Sequence, residues 1–127
     1  MLREISNVQQ VSGEPRRRWF FSHEQDLLVW FGEDGTPVAF QLAYGKYRNE
    51  RALRWKAGKG YTHDAVDDGE NSGVVKEAAI LVADGYFDAT AVLDRFVELS
   101  AEVPPEIVDF VCARLAEHPN FGPDPSI

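Results

Sequence analysis

Sulfur is almost missing from this chain of 127 residues, which holds one cysteine, Cys112, and one methionine. A lone cysteine excludes an internal disulfide and any multi-cysteine zinc or iron–sulfur site. Histidine is scarce as well: His23, His63 and His118 are too few for the His- and Asp-rich centres of metal phosphohydrolases. The longest apolar run, Ala78 to Ala83, falls far short of the about 18 residues that cross a bilayer. Met1 to Gln10 lack the continuous apolar stretch of a secretory signal, and neither end carries a lipidation signature. The expectation is a cytoplasmic protein with no membrane attachment. Basic residues are also in deficit, 13 Lys and Arg against 21 Asp and Glu, a net charge of −8 that disfavours nucleic acid as a partner. What is present is a 44% apolar share with three Trp, four Tyr and eight Phe, enough for one core in one domain.

The charge is unevenly spread. Residues 1–60 carry ten Lys and Arg against seven Asp and Glu, a net of +3, while residues 61–127 carry three against fourteen, a net of −11. The hydrophobic period changes at the same divide. Residues 16–57 read as a sheet: Arg16 to Phe21 and Leu27 to Phe31 are rich in β-formers, and Gly32 to Pro37 is a turn by composition. Val38, Phe40, Leu42 and Tyr44 then alternate with Ala39, Gln41 and Ala43, and Leu53, Trp55 and Ala57 alternate with Ala52, Arg54 and Lys56. Residues 1–15 are an N-terminal arm or an extra strand, and residues 58–77 a polar loop, with a short strand expected at Ala78 to Val82. Residues 88–118 read as two helices divided at Val103-Pro104-Pro105, and residues 119–127 as a frayed tail. The first helix has the apolar stripe Val92, Leu93, Phe96 and Val97, and the second Ile107, Val108, Val111, Cys112 and Leu115. The fold class is α+β: an antiparallel meander of three to five strands with two C-terminal helices packed on one face.

Familiar catalytic fingerprints fail one by one. Gly58-Lys59 and Gly45-Lys46 lack the glycine five positions earlier that a phosphate loop needs, and Gly58-x-Gly60 meets His63 where a third glycine belongs. Ser72 stands one position late for a nucleophile elbow. An EF-hand register with Gly69 at its sixth position would put Val66 and Val75 where oxygen ligands are required. Cys112 lies on an apolar stripe, where a thiol is inert core. The stretch from His63 to Glu70 still gathers an imidazole and several carboxylates. His63, Asp67, Asp68 and Glu70 are therefore the candidates for a divalent-metal or general acid–base site, against the plainer alternative of a solvated loop capping its own turns.

Cations interleave with aromatics in the first half. Arg17, Arg18, Trp19, Arg54 and Trp55 are the candidate ligand-binding residues, suited to stack on and charge-pair with an anionic small ligand or a protein partner segment. The competing account has arginine stems covering the sheet and pairing with the acidic half. Fifteen aromatic residues also exceed what one sheet face and two helices bury, which suggests a groove or a subunit interface.

Several ordered segments carry a resemblance: Arg17-Arg18-Trp19-Phe20, Leu27 to Phe31, Asp34-Gly35, Phe40 to Tyr44, Arg51-Ala52-Leu53 with Trp55, His63 to Glu70 and Ile80 to Gly85. Together they resemble a family of short uncharacterised bacterial proteins. The resemblance implies a bacterial origin and a single domain, and it brings no activity and no catalytic residues. The reading is a small cytoplasmic binding module, non-enzymatic, without a cofactor and working as a homodimer. The alternative is a small enzyme using the His63 to Glu70 stretch.

Overall fold

The computed structural model describes residues 1–6, 8–10, 12–45, 50–67, 80–83 and 87–121. Seven strands form one sheet: β1 (Arg3–Glu4), β2 (Arg16–Phe21), β3 (Gln25–Phe31), β4 (Pro37–Tyr44), β5 (Arg51–Lys56), β6 (Gly60–Asp67) and β7 (Ile80–Ala83). Their order in the sheet is their order in the chain, each pairing antiparallel with the next. Helices α1 (Ala89–Leu99) and α2 (Pro105–Ala116) follow. The expected α+β meander with two C-terminal helices is thus present, with seven strands rather than three to five. Two of the additions are β1, only two residues long, and β6, which occupies ground read as polar loop.

The turns follow from local chemistry. Between β3 and β4, Gly35 takes a φ of 83°, a left-handed conformation that a side chain would strain. Asp34 Oδ1 accepts the Thr36 N–H at 3.0 Å, and that bond holds the Asp34 carboxyl below its usual range. Between β5 and β6, Gly58 takes a φ of 81°.

Register decides which side chains meet. Phe20, Leu27, Leu42 and Leu53 lie in one cross-strand row, and Val29, Phe40, Trp55 and Tyr61 in the next on the same face. Against that face α1 buries Ala89, Val92, Phe96 and Leu99, and α2 buries Ile107, Val111 and Leu115. Phe20, Phe40, Phe87 and Phe96 are the largest fully buried side chains. Leu2 joins them, and its N–H donates to the Leu99 carbonyl at 2.8 Å, tying the chain's start to the end of α1.

The opposite sheet face carries Trp19, Leu28, Gln41, Arg54 and Thr62 in one row, with Arg17, Trp30, Ala39 and Lys56 in another. Among the described residues no helix packs over it. No helix of the described residues is long and apolar enough to cross a membrane.

Candidate functional site

Strand alternation sorts the candidate residues before any contact is considered. Adjacent residues of a strand point to opposite faces, so Arg17 and Arg18 part company, as do Arg54 and Trp55. Arg17, Trp19 and Arg54 stand on the face away from the helices, and Arg18 and Trp55 on the helix side. The five residues divide between two surfaces.

On the outer face, Arg17 is only 6% exposed, and its Nε donates to the Gln9 carbonyl at 2.8 Å. Its backbone is taken by the side chain of Gln10, which accepts from the Arg17 N–H at 2.8 Å and donates to the Arg17 carbonyl at 2.9 Å. Arg17 therefore anchors residues 9 and 10 along β2. Trp19 is half-buried and meets Phe21 edge-on, with centroids 6.3 Å apart. Arg54 is exposed and donates to Gln41 Oε1 through Nε at 3.2 Å and Nη2 at 2.6 Å.

On the helix side, Arg18 and Trp55 line a cleft of about 1320 Å³ between the sheet and α2. Its apolar lining includes Phe31, Trp55 and Phe110. Trp55 and Phe110 pack edge to face at 5.5 Å, and Phe110 meets the buried Phe40 at 5.9 Å, so the floor is continuous with the core. Three arginines stand around it. Arg18 grips Glu4 with two bonds of 2.8 and 2.7 Å, which lower the Glu4 carboxyl and raise the Arg18 guanidinium. Arg114 lies 5.2 Å from the Trp55 ring centroid and pairs with Glu117. Its Nε is buried with no hydrogen-bond partner among the described residues. Arg16 is exposed at the cleft's edge and makes no ion pair among the described residues. Glu14, Glu33, Glu106 and Asp109 also line the opening, so cationic and anionic groups share it.

Arg114 was not among the sequence candidates for this site, and Phe110 counted only among the aromatics in excess of one core. Their spacing of four on α2 puts both on one helix face, but only the tertiary fold brings that face over Trp55.

His63 belongs to a different cluster. It stands half-buried on β6, its Nε2 2.5 Å from the Tyr44 hydroxyl, with the two rings stacked at 5.9 Å. Phe87 lies 4.9 Å from His63 and 4.9 Å from His118, between the two imidazoles. His118 Nδ1 accepts the Asn120 N–H at 3.0 Å. Burial, then the neighbouring His63, holds His118 below the ordinary histidine value. Tyr61 closes the cluster, donating its hydroxyl to the Arg114 carbonyl at 2.5 Å while burial raises its phenol. A tyrosine and histidine in contact can pass a proton, and the Phe87 ring packs against both.

Of the metal and acid–base candidates, the structure describes the side chain of His63 alone. Asp67 ends β6, four extended residues beyond His63, a separation of roughly 13 Å along the strand. Asp68 and Glu70 lie outside the described residues. No group of three metal-ligating side chains occurs among the described residues. Cys112 sits half-buried on α2, its thiol raised by burial and by Asp109, which disfavours the reactive thiolate. No family model, curated protein or solved structure matches the chain.

Proposed function

We propose that this protein is a cytoplasmic, non-enzymatic binding module whose site is the cleft between the sheet and α2. The observation that carries the reading is Arg114: a guanidinium laid on Trp55 at the wall of the cleft. Its positive charge is what an incoming acceptor would meet there. Arg16 at the edge supplies a second positive charge, and Phe31, Trp55 and Phe110 supply a flat apolar floor. The four carboxylates of the lining disfavour a ligand with several negative charges. The ligand class is a monoanion with a flat apolar body, such as an aromatic carboxylate. The module works as a homodimer joined through the outer sheet face, where Trp19, Leu28 and Trp30 are half-buried with no helix above them among the described residues.

Calorimetric titration with indole-3-acetate, beside its neutral analogue indole-3-acetamide, tests the site. The acid is expected to bind at least tenfold more tightly than the amide. Arg16→Gln and Arg114→Met should each weaken it by about tenfold, the scale of one hydrogen bond to a charged group. Equal affinity for acid and amide, or no heat from either, would remove the reading.

A further inference from the structure

Between β1 and β2 a side chain stands where a strand residue would pair. The β1 line along β2 extends as far as Ile5, whose N–H donates to the Trp19 carbonyl at 2.9 Å. Backbone groups of an antiparallel strand face one edge at every second residue, so the next position of β2 on that edge is Arg17. There the Gln10 carboxamide takes both groups, accepting the Arg17 N–H at 2.8 Å and donating to the Arg17 carbonyl at 2.9 Å. Gln10 Nε2 also donates to the Val8 carbonyl at 3.2 Å, and Arg17 Nε donates to the Gln9 carbonyl at 2.8 Å. These bonds clip the arm to β2 and close the loop that re-enters the sheet at Arg16.

That loop forms one edge of the cleft, where Gly13, Glu14, Pro15 and Arg16 belong to the lining. Arg16 is fixed by its pairing with Phe31 on β3. Residues 13–15 have no such hold. Among the described residues from 6 to 15 none is buried, so apolar burial does not seat this stretch. Gly13 turns the chain at a φ of 86°, with open space where a Cβ would stand. Hydrogen bonds of this neutral kind gain little over the water that replaces them. The arm therefore opens locally far more readily than the sheet unfolds.

We propose that residues 13–15 are a strap over the edge of the cleft, held shut by Gln10 on Arg17 and coupled to ligand binding. The inference rests on the cleft being the binding site. A ligand meets residues 13–15 while the clip is made and loses them when it breaks, so it binds the closed arm more tightly. By reciprocity, the ligand stabilises the clip by the same factor as the clip stabilises the ligand. Gln10 is a positioning residue, acting through the loop. Its effect does not depend on the ligand's charge, which separates it from Arg114.

Hydrogen exchange of the Arg17 N–H, with and without saturating indole-3-acetate, tests the coupling. Exchange is expected to slow by roughly threefold or more on binding. The Lys59 N–H, which donates to the Lys56 carbonyl in the β5–β6 turn away from the cleft, should keep its rate. Gln10→Leu should weaken indole-3-acetate and indole-3-acetamide alike, by the factor read from the Arg17 exchange. The exchange measurement uses the parent chain, so it decides even where the variant does not fold. Arg17 exchange that ignores the ligand overturns the strap, as does a folded Gln10→Leu that binds both probes as the parent does. Either result leaves the cleft in place so long as the parent prefers acid to amide. A parent that binds neither probe, or both equally, removes the cleft as the site and the strap with it.

Discussion

His118 shows how one residue can set a pH limit on a fold. Its Nδ1 accepts the Asn120 N–H, and Asn120 Nδ2 in turn donates to the Phe87 carbonyl at 2.9 Å, so the imidazole helps pin α2's end to the chain before α1. Protonation at Nδ1 would break that acceptor. The folded value lies below the ordinary one, so the unfolded chain takes up this proton more readily. Stability from this group is complete above about pH 6.5. It declines as the pH falls into the window between that value and the lower folded one. Urea midpoints measured from pH 7.5 down to 5.5 should fall, and His118→Asn, which keeps an acceptor for the Asn120 N–H, should flatten the slope. An unchanged slope in the variant would assign the effect elsewhere. At this scale the sequence was legible in kind but not in grouping. Arg18 and Trp55 stand out as a cation and an aromatic on strands, and both line the cleft. The period of two already separates Arg17 from Arg18 and Arg54 from Trp55, so alternation alone limits which of the five can share a surface. Arg114 carries no such mark, because only the tertiary fold lays it on Trp55.

Among the elements, α1 is the one with a clear sequence-coded start. Asp88 Oδ1 accepts the Ala91 N–H at 3.0 Å, satisfying a donor at the first turn. Asp88→Ala should cost about 1 kcal/mol, read as a lower urea midpoint with the dependence on denaturant unchanged. The other end closes on Ser100, whose hydroxyl donates to the Phe96 carbonyl and whose N–H donates to the Val97 carbonyl at 3.2 Å. The stripe read from the sequence is right for Val92 and Phe96, but Val97 is 49% exposed and Leu99 is buried in its place. Residues 89, 92, 96 and 99 hold a spacing of three and four, and Val97 lies about a third of a turn off that line. The stripe of α2 is as expected, with Ile107, Val111 and Leu115 buried and Val108 and Cys112 half-buried beside them. Strand β6 was hidden for a different reason. Thr62, His63 and Asp64 have loop-like composition, and they form a strand because β5 offers a full ladder from Arg51 to Lys56 and the Gly58 turn reverses the chain onto it. Composition describes a segment alone, whereas pairing depends on the edge beside it.

At the scale of the whole molecule, exposed charge of opposite sign stands on both layers. Asp94, Glu98, Glu102, Glu106, Asp109 and Glu117 are all exposed on the helix layer, while Arg54 and Lys56 are exposed on the outer sheet face. The split of charge between the two halves of the sequence is not a split in space, since Arg16, Arg18 and Arg51 lie on the helix side of the sheet. The exposed cations of the outer face bear on the proposed homodimer, because joining two outer faces brings Arg54 and Lys56 of each copy together around the half-buried Trp19 and Trp30. Screening by salt should then strengthen the association instead of weakening it. Sedimentation velocity should give twice the chain mass, with a dissociation constant that falls between 50 mM and 500 mM NaCl. Trp30→Ser should run as a monomer. A monomer of the parent chain at both salt concentrations would end the proposal.

The neighbour-to-neighbour order of the strands also has a consequence in time. Synthesis runs from the N-terminus, and each strand of the meander can find its partner as soon as it has emerged, with no wait for a distant segment. The residues that must cover Phe20, Leu27, Phe40, Leu42 and Leu53 are in α1 and α2, which are made last. A nascent chain that has finished its sheet therefore carries an open apolar face until more than thirty further residues have left the ribosome, and through that interval it is a client for whatever shields such surfaces in the cell.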